Sequence, residues 1–309
     1  MEERRALREL AQGGVLLTCR ALESGWPRRS LTRALRAEGW GRLQAGAWVE
    51  PGRAADLPTR LRAVQLLNQR LVVSHSSAAA LWRIETLAAA AKAPLEFIDP
   101  ALSFRGKAQN VRVRRLLLDP GDVVLRYGLR VTGPVRTLTD LLRSLARDEA
   151  VVALESAVTY RRVGGARRAP LAKLDAVAAA LSAPSQGSAK ARRWLGLCDP
   201  RAGSPAETIA RLRMADSGLR PESQVELFTP AGRRVVLDFL FRREGLAVEI
   251  EGYAYHGTRE AHRRDVSRFN QVLQCPEVRS ALRFTAQDVF REPDRMISEI
   301  RAALVALGR

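Results

Sequence analysis

Apolar and polar positions along this chain switch between helical spacing and strict alternation, and the switches mark its predicted elements. Residues 3–11 read as a short helix ended by Gly13-Gly14, and Arg20 to Gly25 as a second helical stretch. After the Trp26-Pro27 turn, Ser30 is placed to cap a helix running to about Glu38. On that helix Leu31, Ala34 and Leu35 share one face while Arg29, Arg33 and Arg36 share another, and Gly39 stops it. Trp40 to Val49 then reads as a hairpin with a glycine-bearing turn. Residues 58–92 are predicted mostly helical, with Val72-Val73-Ser74-His75 opening an Ala-rich helix through Trp82. His75 at that helix start reads as a packing or capping residue rather than a ligand.

Strands rich in β-branched residues are expected at 95–99, 110–118 and 122–132, with turns at Asp119-Pro120-Gly121 and Gly133-Pro134. Helices follow over 137–146, 148–160 and 171–181. Between the last two lies a basic, glycine-bearing connection, 161–170, and after them a flexible stretch, 182–188. The best domain boundary falls near 185–203. Beyond it Ser204 caps a helix with Pro205 at its first position and Glu207 at its third, a capping-box arrangement that accounts for Glu207 without chemistry. Strands at 223–229, 234–241 and 245–251, a helix at 259–274, a strand at 279–284 and a helix at 293–307 complete an α-β-β-β-α-β-α order.

Candidate chemistry concentrates in Val236 to His256, VLDFLFRREGLAVEIEGYAYH. Val248-Glu249-Ile250-Glu251 alternates with period two, so both carboxylates point to one face and both aliphatic side chains to the other. If that face is buried, a hard divalent ion such as Mg²⁺, or an arginine, must hold them. The alternative is a solvated outer strand face. Asp265 and Arg268, three residues apart on the following helix, fit either a surface ion pair or a site contact.

Composition adds a partner class. The net charge is +18, with 47 Arg against 4 Lys, and it is uneven: +5 over residues 1–100, +10 over 101–200 and +3 over 201–309. A polyanion, most simply nucleic acid, is the natural partner, and the C-terminal third is left for a cation site. The Arg-faced helix with its hairpin has the order of a winged helix-turn-helix, in which Arg28, Arg29, Arg33 and Arg36 face DNA and Arg42 lies on the wing. A merely solvated helix face is the competing reading. The three cysteines are far apart, without CxxC or Cys/His spacing, which argues against structural zinc or a disulfide framework. A charged start and the lack of a long apolar run predict a cytoplasmic protein without a membrane segment.

A helix Glu, a strand Asp and, about ten residues later, an acidic-x-basic tripeptide on the next strand form the pattern of the PD-(D/E)XK nuclease superfamily, which the C-terminal region resembles with Glu207, Asp238 and Glu249 in the matching places. More narrowly, LDFLF, LAVEIEGYAYH, the helix with Asp265 and Arg268, and Leu282-Arg283-Phe284 resemble the DUF559 domain related to very-short-patch-repair endonucleases. The winged-helix start and Val131-Thr132-Gly133-Pro134-Val135-Arg136-Thr137-Leu138 with Asp140 resemble AbiEi-type antitoxins. The resemblance implies hydrolysis of a DNA phosphodiester, with Asp238, Glu249 and Glu251 around Mg²⁺ (or Mn²⁺), Glu207 completing the outer shell, His256 as acid or base and Arg268 as a phosphate or carboxylate partner. The superfamily's Lys position is Glu251, so that positive charge is absent from the strand.

The expectation is therefore a multi-domain α/β (α+β) protein. It comprises a winged helix-turn-helix at 1–56, a mixed α/β antitoxin-like middle at 57–190, and an endonuclease-like mixed sheet flanked by helices at 204–309. Its function is DNA binding with Mg-dependent cleavage. The alternatives are a transcriptional repressor or antitoxin-type regulator with an inactive nuclease fold and a toxin partner protein, and a nuclease acting on RNA.

Overall fold

Gly13 and Gly14 both adopt positive φ, so the chain cannot stay helical through them and the N-terminal segment turns instead. The computed structural model describes residues 6–87, 93–103, 110–163, 165–251 and 259–308, with the backbone alone for 259–262, 264 and 265. Residues 7–10 form a turn rather than the expected helix, whose first residues lie outside the described ones. β1 (Val15–Leu17) leads into α1 (Thr18–Glu23), α2 (Arg28–Ala37) and a hairpin of β2 (Gly41–Gln44) and β3 (Ala47–Val49). The strands form an antiparallel sheet in the order β1-β3-β2, which gives the helix, turn, helix, hairpin sequence expected of this region. Ser30 does not cap α2: the helix starts at Arg28, and the Ser30 hydroxyl donates back to the Pro27 carbonyl at 3.2 Å. The proline ring, with φ of −69°, is already set for the entry into the first turn. Leu31 and Leu35 bury that helix against Leu7, Leu16 and Trp40.

α3 (Leu57–Leu67) follows, capped by Asp56, which accepts from the Thr59 amide at 2.9 Å. The expected long helical stretch is then broken by β4 (Val72–Val73), and α4 (His75–Leu81) is short. His75 is buried, its Nδ1 2.9 Å from Ser74 Oγ, and burial pushes its imidazole down to about 3, so it packs as a neutral ring. β5 (Leu95–Asp99), β6 (Val111–Arg115), β7 (Val123–Arg126) and β8 (Leu129–Thr132) join β4 in a mixed sheet ordered β6-β5-β4-β8-β7. The stretch 122–132, expected as one strand, is a hairpin. Tyr127 and Gly128 sit at φ of 52° and 69°, the paired left-handed residues of a tight hairpin turn.

Two compact units emerge, one of Met1–Arg83 with Ala88–Leu141, the other of Ile84–Leu87 with Leu142–Arg309; α5 (Pro134–Ser144) spans the change. The second unit begins with α6 (Arg147–Val158), a short hairpin of β9 (Arg161–Val163) and β10 (Ala166–Arg168), α7 (Leu174–Ala180) and α8 (Ser188–Leu195). The boundary expected near 185–203 thus carries a helix and lies inside this unit. The reason is packing: Val151 and Val152 of α6 share a core with the helix that follows Ser204.

That helix, α9 (Pro205–Asp216), precedes β11 (Glu222–Phe228), β12 (Arg234–Phe241), β13 (Leu246–Glu251), α10 (Arg259–Val272), β14 (Ser280–Thr285), α11 (Ala286–Arg291) and α12 (Pro293–Leu307). The sheet order is β11-β12-β13-β14, antiparallel except for the parallel pair β13 and β14, which α10 connects. Phe239, Phe241, Val248, Ile250 and Phe284 pack one face on α9 and α12. Leu237, Leu240 and Ala247 pack the other on Val272 and Cys275. Burying each of these Val, Leu, Ile and Phe side chains contributes roughly 1.5–3 kcal/mol, so both faces of the sheet are held by packing. The architecture is a multi-domain mixed α/β fold, and no helix among the described residues is long and apolar enough to cross a membrane.

Candidate functional site

The ladder between β12 and β13 runs from Phe241 and Leu246 to Phe239 and Val248 and stops there. Leu237 and Leu240 both face the second core although three residues apart, so the strand shifts its side-chain register across Asp238 and Phe239. Where the strands part, two carboxylates take up the amides that the ladder leaves. Asp238 Oδ2 accepts from the Ile250 amide at 2.8 Å, and Glu249 Oε1 accepts from the Asp238 amide at 3.2 Å. The split of the sheet therefore sets two acidic side chains beside each other by reciprocal bonds.

Glu207 joins them from α9. Ser204 Oγ caps that helix by accepting from the Glu207 amide at 3.2 Å, as expected, but the capping box does not close. The Glu207 carboxylate instead accepts from the Gly203 amide at 2.7 Å and from Gln224 Nε2 at 2.8 Å. Only glycine fits at 203 without displacement, since a Cβ there would stand 3.0 Å from both Glu207 oxygens. Gln224 also reaches Asp238 Oδ1 at 3.2 Å, so one side-chain amide links two carboxylates. Its backbone sits at φ of 51° in the middle of β11, a costly conformation for a non-glycine residue that the surrounding strand imposes.

Glu207 and Glu249 are each 8% exposed, which removes the solvated-face reading for Glu249. Burial, reinforced by the neighbouring Asp238 charge, pushes both carboxyls up to about 7, and burial raises Asp238 as well. The cation that β13 lacks comes from α10: Arg268 Nη2 lies 2.8 Å from Glu249 Oε2 and donates to the Val236 carbonyl at 3.0 Å. Glu251 lies on the same strand face but is ion-paired with Arg283 of β14, whose guanidinium stacks 4.8 Å from the Phe269 ring. Among the sequence candidates, then, Glu207, Asp238, Glu249 and Arg268 come together and Glu251 is engaged elsewhere. His256 lies outside the described residues, as does the Asp265 side chain. Among the described residues no three or more His, Cys, Asp or Glu converge as a metal-binding group.

Gln224 was missed by sequence reasoning, although a signal existed. Folding β11 against β12 about the turn at 229–233 pairs Ser223 with Phe239 and Val225 with Leu237, which leaves Gln224 across from Asp238. The support behind Glu207 was also invisible. Glu155 of α6 is fully buried and accepts from Arg211 Nη2 and Thr208 Oγ1, both at 2.5 Å, and from the Asp199 amide at 2.7 Å. It ties α6 to the first turns of α9 from which Glu207 projects.

The three acids carry a pH signature. Because the Glu207 and Glu249 carboxyls bind protons up to about 7 in the folded protein rather than 4.5, the native state holds more protons than the unfolded chain between those values. Stability of the metal-free protein is expected to fall as pH rises through that window and to level off above it. Thermal unfolding measured across the window checks this, and stability that rose with pH would contradict the assigned burial and repulsion. Replacing Asp238 with Asn should flatten the slope, since its charge is the second cause of both shifts.

In the first unit Arg28, Arg29, Arg33 and Arg36 are exposed along α2, and Arg42 is exposed on β2. Leu31 and Leu35 anchor the opposite side of α2. The helix thus presents a row of guanidinium groups to solvent.

Against known proteins, the chain matches no family model. It is 28% identical over 248 residues to the uncharacterized proteins Rv2248 and MT2308 from two strains of Mycobacterium tuberculosis, covering 79% of this chain and 86% of each relative. Among solved structures, that of the RV2827C protein from Mycobacterium tuberculosis aligns with a TM-score of 0.42 at 20% identity, over 74% of this chain and 91% of that one.

Proposed function

We propose that this protein is a cytoplasmic, DNA-binding endonuclease that hydrolyses phosphodiester bonds with Mg²⁺ or Mn²⁺ at Asp238 and Glu249. The observation that carries this reading is the pair of buried carboxylates held side by side where β12 and β13 part. Such a pair fits a hard divalent cation, because oxygen donors kept close together against their own repulsion and desolvation gain most from a positive charge between them. When bound, the ion polarises a phosphoryl oxygen and lowers the pKa of a water molecule.

The chain's own residues supply the remainder. Glu207, poised at about 7, can take up a proton near neutrality, and Gln224 fixes the orientation of Glu207 and Asp238. Arg268, half exposed beside Glu249, is positioned to donate to a phosphate. The arginine row on α2, with Arg42, would hold the DNA backbone. Arg33→Ala combined with Arg36→Ala is expected to weaken DNA binding and to lower the slope of log affinity against log salt by about 2. Fluorescence anisotropy across a salt series measures this, and an unchanged slope would remove α2 as the docking surface.

A second reading is a repressor or antitoxin-type regulator, with a toxin as partner protein and an inactive nuclease fold. One observation favours it: Glu251 stands where the superfamily carries its lysine, and it is neutralised by Arg283. Random-site selection tests this second reading, because a regulator requires a defined DNA motif and a selection that returns none counts against it.

A further inference from the structure

The β9 and β10 strands put four arginines on a ribbon with three residues a side. Arg161 pairs across it with Arg168, and Arg162 with Arg167. No acidic residue occurs between Tyr160 and Arg168. The two pairs are used differently, as strand alternation requires. Arg161 is buried, donating through Nη1 to the Ala202 carbonyl at 2.5 Å and lying 3.2 Å from Glu85, while Arg168 donates to the Ser156 carbonyl. Arg162 and Arg167 face solvent directly opposite each other, an arrangement of like charges that destabilises a bare hairpin. Neither forms an ion pair among the described residues. Arg167 is held over the ring of Tyr160 at 4.3 Å, and that ring is itself 59% exposed. An arginine pre-set by an aromatic ring loses less freedom on binding an anion than an unsupported one.

The ribbon is also fastened to the carboxylate centre. Arg161 grips Ala202, the next residue, Gly203, donates to Glu207, and the Arg161 charge acts on Glu207. We propose that the β9–β10 hairpin is a second DNA-backbone contact, in which Arg162 and Arg167 bind phosphate and hold a strand next to Glu207, Asp238 and Glu249. The phosphate contact stands on the hairpin's own geometry; that it serves a cleavage centre rests on the nuclease reading. An apposed pair of guanidinium groups on a narrow ribbon, one of them held over an aromatic ring, suits a polymer with regularly spaced phosphates, each of which can accept two N–H bonds from one arginine.

The test uses the full-length protein and a fluorescein-labelled DNA duplex, with anisotropy titrations across a salt series and plasmid nicking in Mg²⁺. Arg162→Gln with Arg167→Gln is expected to weaken binding about tenfold and to lower the salt slope by about 2. Arg162→Lys with Arg167→Lys should restore the slope. Since all four substitutions fall on exposed side chains, matching circular dichroism spectra confirm that both variants are folded. An unchanged affinity and slope in the Gln variant, or a loss equal in the Gln and Lys variants, would overturn the proposal, as would failure of the wild type to bind the duplex. A lowered slope with no nicking by the wild type would support the hairpin contact while removing the nuclease reading.

Discussion

Asp238→Asn is expected to abolish Mg²⁺-dependent plasmid nicking, by about a thousandfold or more, while leaving DNA affinity unchanged. The substitution keeps an oxygen to accept from the Ile250 amide, so the parting of β12 and β13 survives. What is lost is a negative donor to the cation, an interaction worth several kcal/mol of charge stabilisation, where each 1.36 kcal/mol is tenfold in rate. Calorimetric titration with Mg²⁺ and Mn²⁺ beside the nicking assay distinguishes the outcomes. Metal binding and nicking that vanish together establish the site, and undiminished nicking in the variant would place the chemistry elsewhere. A wild type that neither binds metal nor nicks DNA would leave the regulator reading.

Glu155→Ala is expected to cost about 3–5 kcal/mol of stability, the range for removing one partner of a buried ion pair. The loss is large because Arg211 remains, 2.8 Å from the Leu197 carbonyl but without its counter-charge, and the Asp199 amide and Thr208 hydroxyl lose their acceptor. Burial pushes the Glu155 carboxyl up despite the adjacent guanidinium, a sign of how thoroughly the group is removed from water. Glu155→Gln retains an acceptor for the amide and hydroxyl and should cost less. Urea denaturation of the three proteins measures the order, and an alanine variant as stable as wild type would show that α6 does not hold α9 through this residue.

The C-terminal element order, apart from the short α11, was legible because the strands carry strong period-two patterns and Ser204-Pro205 marks a helix start. That pattern alone paired Glu249 with Glu251, and it was the resemblance to the nuclease family that set Asp238 beside Glu249. The actual arrangement of Asp238 and Glu249 was not legible, because it depends on where a ladder ends, and β12 is apolar on either side of the break. Glu251 illustrates the same limit: its partner Arg283 arrives through the parallel register of β13 and β14, which no local pattern encodes. Glu207 satisfied the capping-box spacing, yet its carboxylate accepts from the Gly203 amide and Gln224 rather than from the Ser204 amide. In the first 190 residues, short elements misled the reading. Three-residue strands such as β9 and β10 are too brief for periodicity to register, and α8 starts at Ser188, directly after a Ser-, Pro- and Gly-rich stretch that reads as loop. The positive-φ pair Tyr127-Gly128 split a run of β-formers that looked continuous.

Residues 84–87 belong with the C-terminal unit although some fifty residues of the N-terminal unit follow them. Within that stretch Glu85 faces the buried guanidinium of Arg161. The two units are therefore not beads on a string: the chain visits the second, returns to complete the first, and only then commits. A single cut at residue 142 would therefore separate Arg161 from Glu85, so excising the C-terminal unit in one piece removes one partner of this ion pair. During synthesis, Glu85 leaves the ribosome long before its partner and must wait unpaired until Arg161 arrives.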